Sequence, residues 1–158
     1  MCKLINLRHV EADDMVIEQI NSIGRLTNLQ ELPAFSVRED DRHKLTELSS
    51  LAQLHGRLCI KNLENATNCP FMLNFPLAQL VGLEYLYIRN CGELRSIEGL
   101  RFLKSLERLS IIGCPKLLQL DEGDEQVGSL TLLHELWIHN TVLLKMVPLK
   151  APFRLSNV

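Results

Sequence analysis

Three segments of the chain repeat one spacing of apolar residues. Segments 83–94, 106–117 and 133–144 each read L-x-x-L-x-I-x-x-C/T-x-x-L, and their starts lie 23 and 27 residues apart. Leucine, isoleucine and cysteine or threonine recur together at fixed positions, so the pattern is much more specific than leucine abundance alone. A chain that repeats one short unit in this way buries its apolar residues by stacking the units side by side.

The repeated unit has a direct structural reading. In a strand, the alternation L-x-I places both apolar side chains on one face and the intervening residues on the other. A period of 20–29 residues with this lettering is typical of leucine-rich repeats. The sequence therefore predicts an α/β solenoid, the leucine-rich-repeat horseshoe with a parallel concave sheet. Cysteine or threonine three residues after the isoleucine is expected at an inward turn, where it can satisfy buried backbone groups.

Weaker copies of the unit extend the array upstream to about six irregular repeats. Their equivalent strand residues are Val10, Leu32, Leu58, Leu86, Leu109 and Leu136. Between the strands, leucines at three-residue spacing predict short helical or 3₁₀ turns on the convex side, in the segments 23–29, 45–54 and 100–106. We expect residues 1–158 to form one leucine-rich-repeat domain, a fragment of a longer array. Residues 147–158 are expected to form an irregular tail that completes no repeat.

Composition and charge exclude several classes of protein. A net charge of −2 gives no reason to expect nucleic acid or an anionic membrane as partner. The five cysteines are odd in number and form no C-x-x-C pair, which argues against a disulfide framework or a zinc site. No apolar run approaches the length of about 18 residues that a membrane span needs. With no apolar secretory core near the start, a cytoplasmic location is expected.

Nothing in the sequence indicates an enzyme, a metal site or a cofactor. His134, Glu135 and His139 imitate H-E-x-x-H, but the second histidine comes one residue too late and falls on the opposite face of a strand. No G-x-S-x-G motif is present. Cys91 and Cys114 occupy the turn position, where burial favours the neutral thiol over a nucleophilic thiolate.

The strand residues between the core letters form the predicted concave surface, and we expect protein binding there. The chain's two tyrosines and its single tryptophan fall on this face together with several arginines, the residue types enriched in interface hot spots. The same assignment also places Phe35, Cys59 and Ser110 on this face. As the alternative, these side chains pack laterally on one another along the sheet. The candidate protein-binding residues are Arg57, Tyr85, Tyr87, Arg89, Arg108, Trp137 and His139.

Three longer segments resemble a known family. Residues 20–37 (INSIGRLTNLQELPAFSV), 44–66 (KLTELSSLAQLHGRLCIKNLENA) and 83–94 (LEYLYIRNCGEL) are similar to the repeat region of plant nucleotide-binding leucine-rich-repeat disease resistance proteins, closest to the coiled-coil class. The resemblance implies a sensor of pathogen effectors or guarded host proteins, which also restrains the nucleotide-binding domain of the same receptor. The chain has no G-x-x-x-x-G-K-[ST] loop, so nucleotide binding is not carried over.

Two other classes of repeat protein stay open. The substrate-recruiting repeats of a ubiquitin ligase also carry cysteine at the turn, but they are more regular than the steps of 22 to 28 residues seen here. An extracellular receptor would be expected to show L-x-G-x-I-P repeats, glycosylation sequons and a signal peptide. The coding sequence immediately upstream distinguishes the three, since it would encode a P-loop, an F-box or a signal peptide respectively.

Overall fold

The predicted solenoid is the observed architecture. The computed structural model describes residues 5–39, 43–65, 72–73, 79–97, 99–120, 132–139 and 154–156. One parallel sheet of six strands dominates this part of the chain. Its strands, in spatial order, are β1 (Ala34–Ser36), β2 (His55–Lys61), β4 (Gly82–Arg89), β6 (Arg108–Ile112), β8 (Glu135–His139) and β9 (Arg154–Ser156).

The core letters of the repeat stack in two columns across the sheet. The strand leucines pair in the order Leu58, Leu86, Leu109, Leu136, and the isoleucines in the order Ile60, Ile88, Ile111, Ile138. All eight side chains are buried. Each strand therefore buries one face against the next repeat, which is the physical reason that the spacing recurs.

A second, smaller sheet runs along the array and was not predicted. It consists of the two-residue strands β3 (Met72–Leu73), β5 (Ser96–Ile97) and β7 (Gln119–Leu120), all parallel. Strands of two residues are too short to show an alternation in the sequence. Their pairing gives each central repeat a second line of backbone hydrogen bonds beyond the large sheet.

The convex segments form the predicted 3₁₀ turns at Ile23–Arg25, Leu45–Ser50 and Leu100–Phe102. A further turn spans Leu63–Asn65, and the short helix α1 spans Asp14–Ile17. The leucines at three-residue spacing line the back of the core beneath these turns, and all of them are buried except Leu26, which is half-buried. The backbone N–H of Gly24 donates a hydrogen bond to the Glu47 carboxylate at 2.9 Å, which ties the first two convex turns together.

The turn that follows each central strand explains the cysteine of the repeat. The Cys91 thiol donates to the carbonyl oxygen of Arg89 with 3.2 Å between sulfur and oxygen, and Cys114 contacts the Ile112 carbonyl oxygen in the same way at 3.6 Å. The residue before each cysteine is in the left-handed region: Asn90 at φ 55° and Gly113 at φ 71°. The predicted role of cysteine is therefore confirmed. Thr141, the third residue of this set, lies outside the described residues.

The two upstream repeats differ from the predicted register. No strand forms at Val10, although the Arg8 carbonyl oxygen accepts the N–H groups of Gln30 and Glu31 at 2.7 and 3.3 Å, as a ladder would begin. In the second repeat, the predicted strand residue Leu32 makes Ala34 the equivalent of Ile60, but Phe35 pairs with Ile60 instead. The predicted register is therefore wrong there by one residue. An alanine cannot fill a core position that a phenylalanine can fill, so the larger side chain sets the register.

The C-terminal strand also differs from expectation. Residues 147–158 were expected to form an irregular tail, but Arg154–Ser156 forms β9 and pairs parallel with β8, with Leu136 opposite Leu155. The sequence predicted about six repeats, and the large sheet does have six strands among the described residues. They are the strands of the last five predicted repeats and β9, without a strand from the first.

Candidate protein-binding face

The outward positions of the large sheet form three parallel columns, and the sheet face they share is called the concave face below. The seven predicted binding residues all lie in these columns, because strand alternation and the parallel register carry them to one side. The columns run Arg57–Tyr85–Arg108–Glu135, Cys59–Tyr87–Ser110–Trp137 and Lys61–Arg89–Ile112–His139.

Tyr87 sits at the centre of the concave face between two arginines. The guanidinium carbon of Arg57 lies 4.7 Å from the centroid of the Tyr87 ring, and that of Arg89 lies 5.8 Å from it. Both distances fall within the range of cation–π attraction. The register shifts between Gly56 and Arg57, where Gly56 has φ 70°, and this shift brings Arg57 opposite Tyr85 and within reach of Tyr87.

A second chain of contacts runs through the first column. The Arg108 guanidinium carbon lies 5.4 Å from the Tyr85 ring centroid, and Arg108 Nε lies 3.0 Å from Glu135 Oε2. The Tyr85 hydroxyl donates to Glu107 at 3.4 Å, and the negative charge of that carboxylate raises the pKa of Tyr85. Trp137 Nε1–H donates to Glu135 at 3.4 Å. The lateral packing considered as the alternative is therefore present among these side chains.

Lateral packing leaves part of the concave face accessible. Trp137 is 39% exposed and Ile112 is 38% exposed, so large apolar side chains stay open to solvent beside the arginines. His139 is exposed and pairs with Ile112 across the two strands. Ile112 was absent from the predicted set of binding residues. The sequence does indicate it, since Ile112 is a β-branched apolar residue at an outward position next to a core isoleucine.

Three residues that the alternation assigned to the concave face are buried, and for Phe35 the assigned face is itself wrong. Phe35 belongs to the core because of the register shift in β1, whereas Ser110 is buried at an outward position of its column. Cys59 is only 2% exposed, and burial raises the pKa of its thiol despite the nearby arginines. Cys59 and Ser110 keep their outward register positions, and alternation alone does not predict that such small side chains are buried there.

The N-terminal helix α1 and the residue that follows it, Glu18, cover one end of the concave face. Lys61 Nζ lies 2.7 Å from Glu18 Oε1 and 3.6 Å from Asp14 Oδ2, and Arg38 donates to the Glu18 carbonyl oxygen at 2.9 Å. The hydrogen bond from Lys61 to the Glu18 carboxylate is the main cause of the raised pKa of Lys61. Lys61 is therefore committed to a contact within the chain, and no pattern in the sequence indicates this contact.

The described part of the chain holds no cluster of metal-ligating side chains. Within it, no three histidine, cysteine, aspartate or glutamate side chains lie close enough to hold a metal ion. His134 Nδ1 lies 2.9 Å from the Leu132 carbonyl oxygen, and Glu135 is shared by Arg108 and Trp137. None of the described helices has the length and apolar character to cross a membrane.

The register and the stacked core define the architecture of a leucine-rich-repeat solenoid, a fold that presents a sheet face to protein partners. No protein-family model matches the sequence, and no curated protein matches it. Ten solved chains do match.

One of these solved chains is an internalin (inlF) from Listeria monocytogenes str. 4b F2365. Its sequence is 21% identical, and the match covers 75% of this chain and 56% of that one, with a TM-score of 0.20. The chain thus spans about half the length of this internalin. A TM-score this low does not support a common fold, so the fold assignment depends on the observed strand register.

Proposed function

We propose that this chain is a protein-recognition module and that its concave face is the contact surface. The observation that carries the proposal is the cluster of aromatic and arginine side chains on one sheet face, with Trp137 and Ile112 open to solvent. Aromatic residues and arginine are the side chains that most often dominate interface energies. The lateral contacts favour binding, because side chains already held in place lose less entropy when a partner docks.

We further propose that the module belongs to a plant intracellular immune receptor. In this role it senses pathogen effectors or guarded host proteins and restrains a nucleotide-binding switch in the same receptor. Support comes from residues 20–37, 44–66 and 83–94, which resemble the repeats of that family. The proposal includes a cytoplasmic location and no enzymatic activity of the repeat region itself. The alternative is a substrate-recruiting repeat of a ubiquitin ligase or another scaffold protein.

The coding sequence upstream of residue 1 tests the receptor proposal most cheaply. A nucleotide-binding domain with a G-x-x-x-x-G-K-[ST] loop in the same reading frame is the expected result. An F-box domain would favour the ubiquitin-ligase alternative, and a secretory signal peptide would contradict a cytoplasmic receptor.

A paired set of variants tests the concave face. The double variant Tyr87→Ala with Trp137→Ala removes the central aromatic side chain and the exposed tryptophan of the concave face. It is expected to abolish partner binding and relieve restraint of the switch. The control is Leu118→Ala with Leu132→Ala, which removes two exposed leucines from outside the three columns. Both proteins should keep the same far-ultraviolet circular dichroism. If binding and restraint survive the first double variant while the fold is intact, the concave face is not the contact surface.

A further inference from the structure

Among the side chains that the structure describes on the concave face, four are cationic, and carboxylates of the same chain neutralise two of them. Lys61 is paired with Glu18 and Asp14, and Arg108 is paired with Glu135. In both cases the neutralising group is a carboxylate held against the outward face of the sheet. Two of the cations on this face therefore already bind carboxylates of the same chain.

The other two cations, Arg57 and Arg89, have no carboxylate partner among the described residues. Both of their guanidinium groups lie against the face of the Tyr87 ring. Arg89 Nε is buried and has no hydrogen-bond partner in that same part of the chain. A buried N–H donor without an acceptor loses its hydration without compensation, and a cation makes that loss larger. Two guanidinium groups around one ring also repel each other, so an incoming anion gains from both.

We infer that Arg57 and Arg89 bind two carboxylates of an acidic segment in the protein partner. This inference rests on the proposed function and names the chemistry of the partner that the concave face takes. Arginine binds carboxylate through paired N–H donors, which gives these contacts direction as well as charge. The segment brings its own negative charge to the two cations that no described carboxylate neutralises.

The geometry sets the spacing of the acidic residues. The two guanidinium carbons are no farther apart than the sum of their distances of 4.7 and 5.8 Å to the ring centroid. In an extended peptide, residues i and i+2 point to the same side and lie about 7 Å apart. An acidic residue, any residue and a second acidic residue therefore match the pair of arginines.

The neighbouring strands add an apolar requirement. Ile112 and Trp137 lie on β6 and β8, one and two strands beyond the strand that carries Tyr87 and Arg89. Two strand spacings amount to about 10 Å, which an extended peptide covers in about three residues. The partner segment thus carries a large apolar side chain about three residues from its second carboxylate.

Synthetic peptides test the acidic-partner inference directly. The probe contains Glu-Ser-Glu followed, three residues later, by leucine, and its control replaces both glutamates by glutamine. Binding to the full chain is followed by the fluorescence of Trp137, the only tryptophan, and by calorimetry. The acidic peptide is expected to bind about tenfold more tightly than the amide control, the effect of one or two charge-assisted hydrogen bonds. Added salt should reduce the difference in affinity between the acidic and the amide peptide, because it screens the charges.

Substitutions at Arg57 and Arg89 test whether these two residues cause the preference for the acidic peptide. Arg57→Gln and Arg89→Gln are each expected to lower the preference for the acidic peptide several-fold, and the double variant is expected to remove it. Arg25→Gln, at an exposed convex arginine, should leave it unchanged. Because Arg57 is exposed, its replacement tests the inference even if the buried Arg89 Nε is needed for folding.

The outcomes separate the two proposals. Equal binding of the acidic and amide peptides, absence of binding by both, or a preference that survives the double arginine variant overturns the acidic-partner inference. The proposed function would still stand if a protein partner were lost on the Tyr87 and Trp137 double substitution. If that substitution left partner binding intact, the proposed function would fail whatever the peptides did.

Discussion

Replacement of Leu86 by alanine is the sharpest test of how the solenoid is held together. Leu86 is fully buried and lies between Leu58 and Leu109 in the leucine column. The substitution removes three carbon atoms, and the lost burial alone is worth about 2.4 kcal/mol. Strands on both sides are fixed by the hydrogen bonds of the sheet and cannot collapse into the gap. A cavity contribution is therefore expected, for a total loss of about 3–4 kcal/mol in the free energy of unfolding.

Equilibrium urea unfolding measures this loss with two probes at once. Far-ultraviolet circular dichroism reports the whole array, and the fluorescence of Trp137 reports a strand two positions from Leu86. The control Leu118→Ala removes the same atoms from a side chain that is 45% exposed, and we expect it to cost less than about 1 kcal/mol. A cost below about 1 kcal/mol for Leu86→Ala, or equal destabilisation of the two variants, would contradict a tightly packed leucine column.

Three further predictions concern single contacts. Gly113 has φ 71°, so Gly113→Ala should cost about 1–2 kcal/mol in urea unfolding, whereas Gly92→Ala, with open space around the added carbon, should cost almost nothing. Equal costs would contradict the assigned turn. Lys61→Met should lower stability by about 1 kcal/mol, and Lys116→Met, whose ion pair is half exposed, should not. Because the pKa of Lys61 is raised above 10.5, its contribution is complete below pH 10.5 and is lost as the pH rises through the higher folded value. If Lys61→Met costs the same free energy of unfolding well above that pH, the direction given for the Lys61 pKa shift is wrong. Finally, burial and a raised pKa predict that Cys59 is alkylated by iodoacetamide far more slowly in the native chain than in urea, as peptide mapping would show. Equal rates would contradict its burial.

The fold was predictable where the repeat letters recur and became less so where they vary. Leu58, Leu86 and Leu109 each begin the same L-x-I pattern, and the predicted register at those residues is confirmed. In the second repeat, two apolar residues compete for one core position, and only three-dimensional packing decides in favour of Phe35. The two-residue strands of the second sheet are held by pairing with neighbouring repeats, which no local pattern records.

The candidate site was predictable in its position but not in its contacts. Alternation placed Tyr87 and Trp137 on the outward face, since that property depends only on parity along a strand. The contact between Lys61 and Glu18 joins residues 43 positions apart, and no spacing rule connects them. Cys59 is likewise buried at its outward position opposite Tyr87, which alternation does not predict.

The most direct test of the central claim is covalent footprinting of the side chains, with and without a bound protein partner. Tyr85, Tyr87 and Trp137 share the concave face, while Leu118 and Leu132 are exposed outside its three columns. If the concave face is the contact surface, the reactivity of the three aromatic side chains falls on binding and that of the two leucines does not change. Protection of the leucines with no change at the aromatic side chains would contradict it.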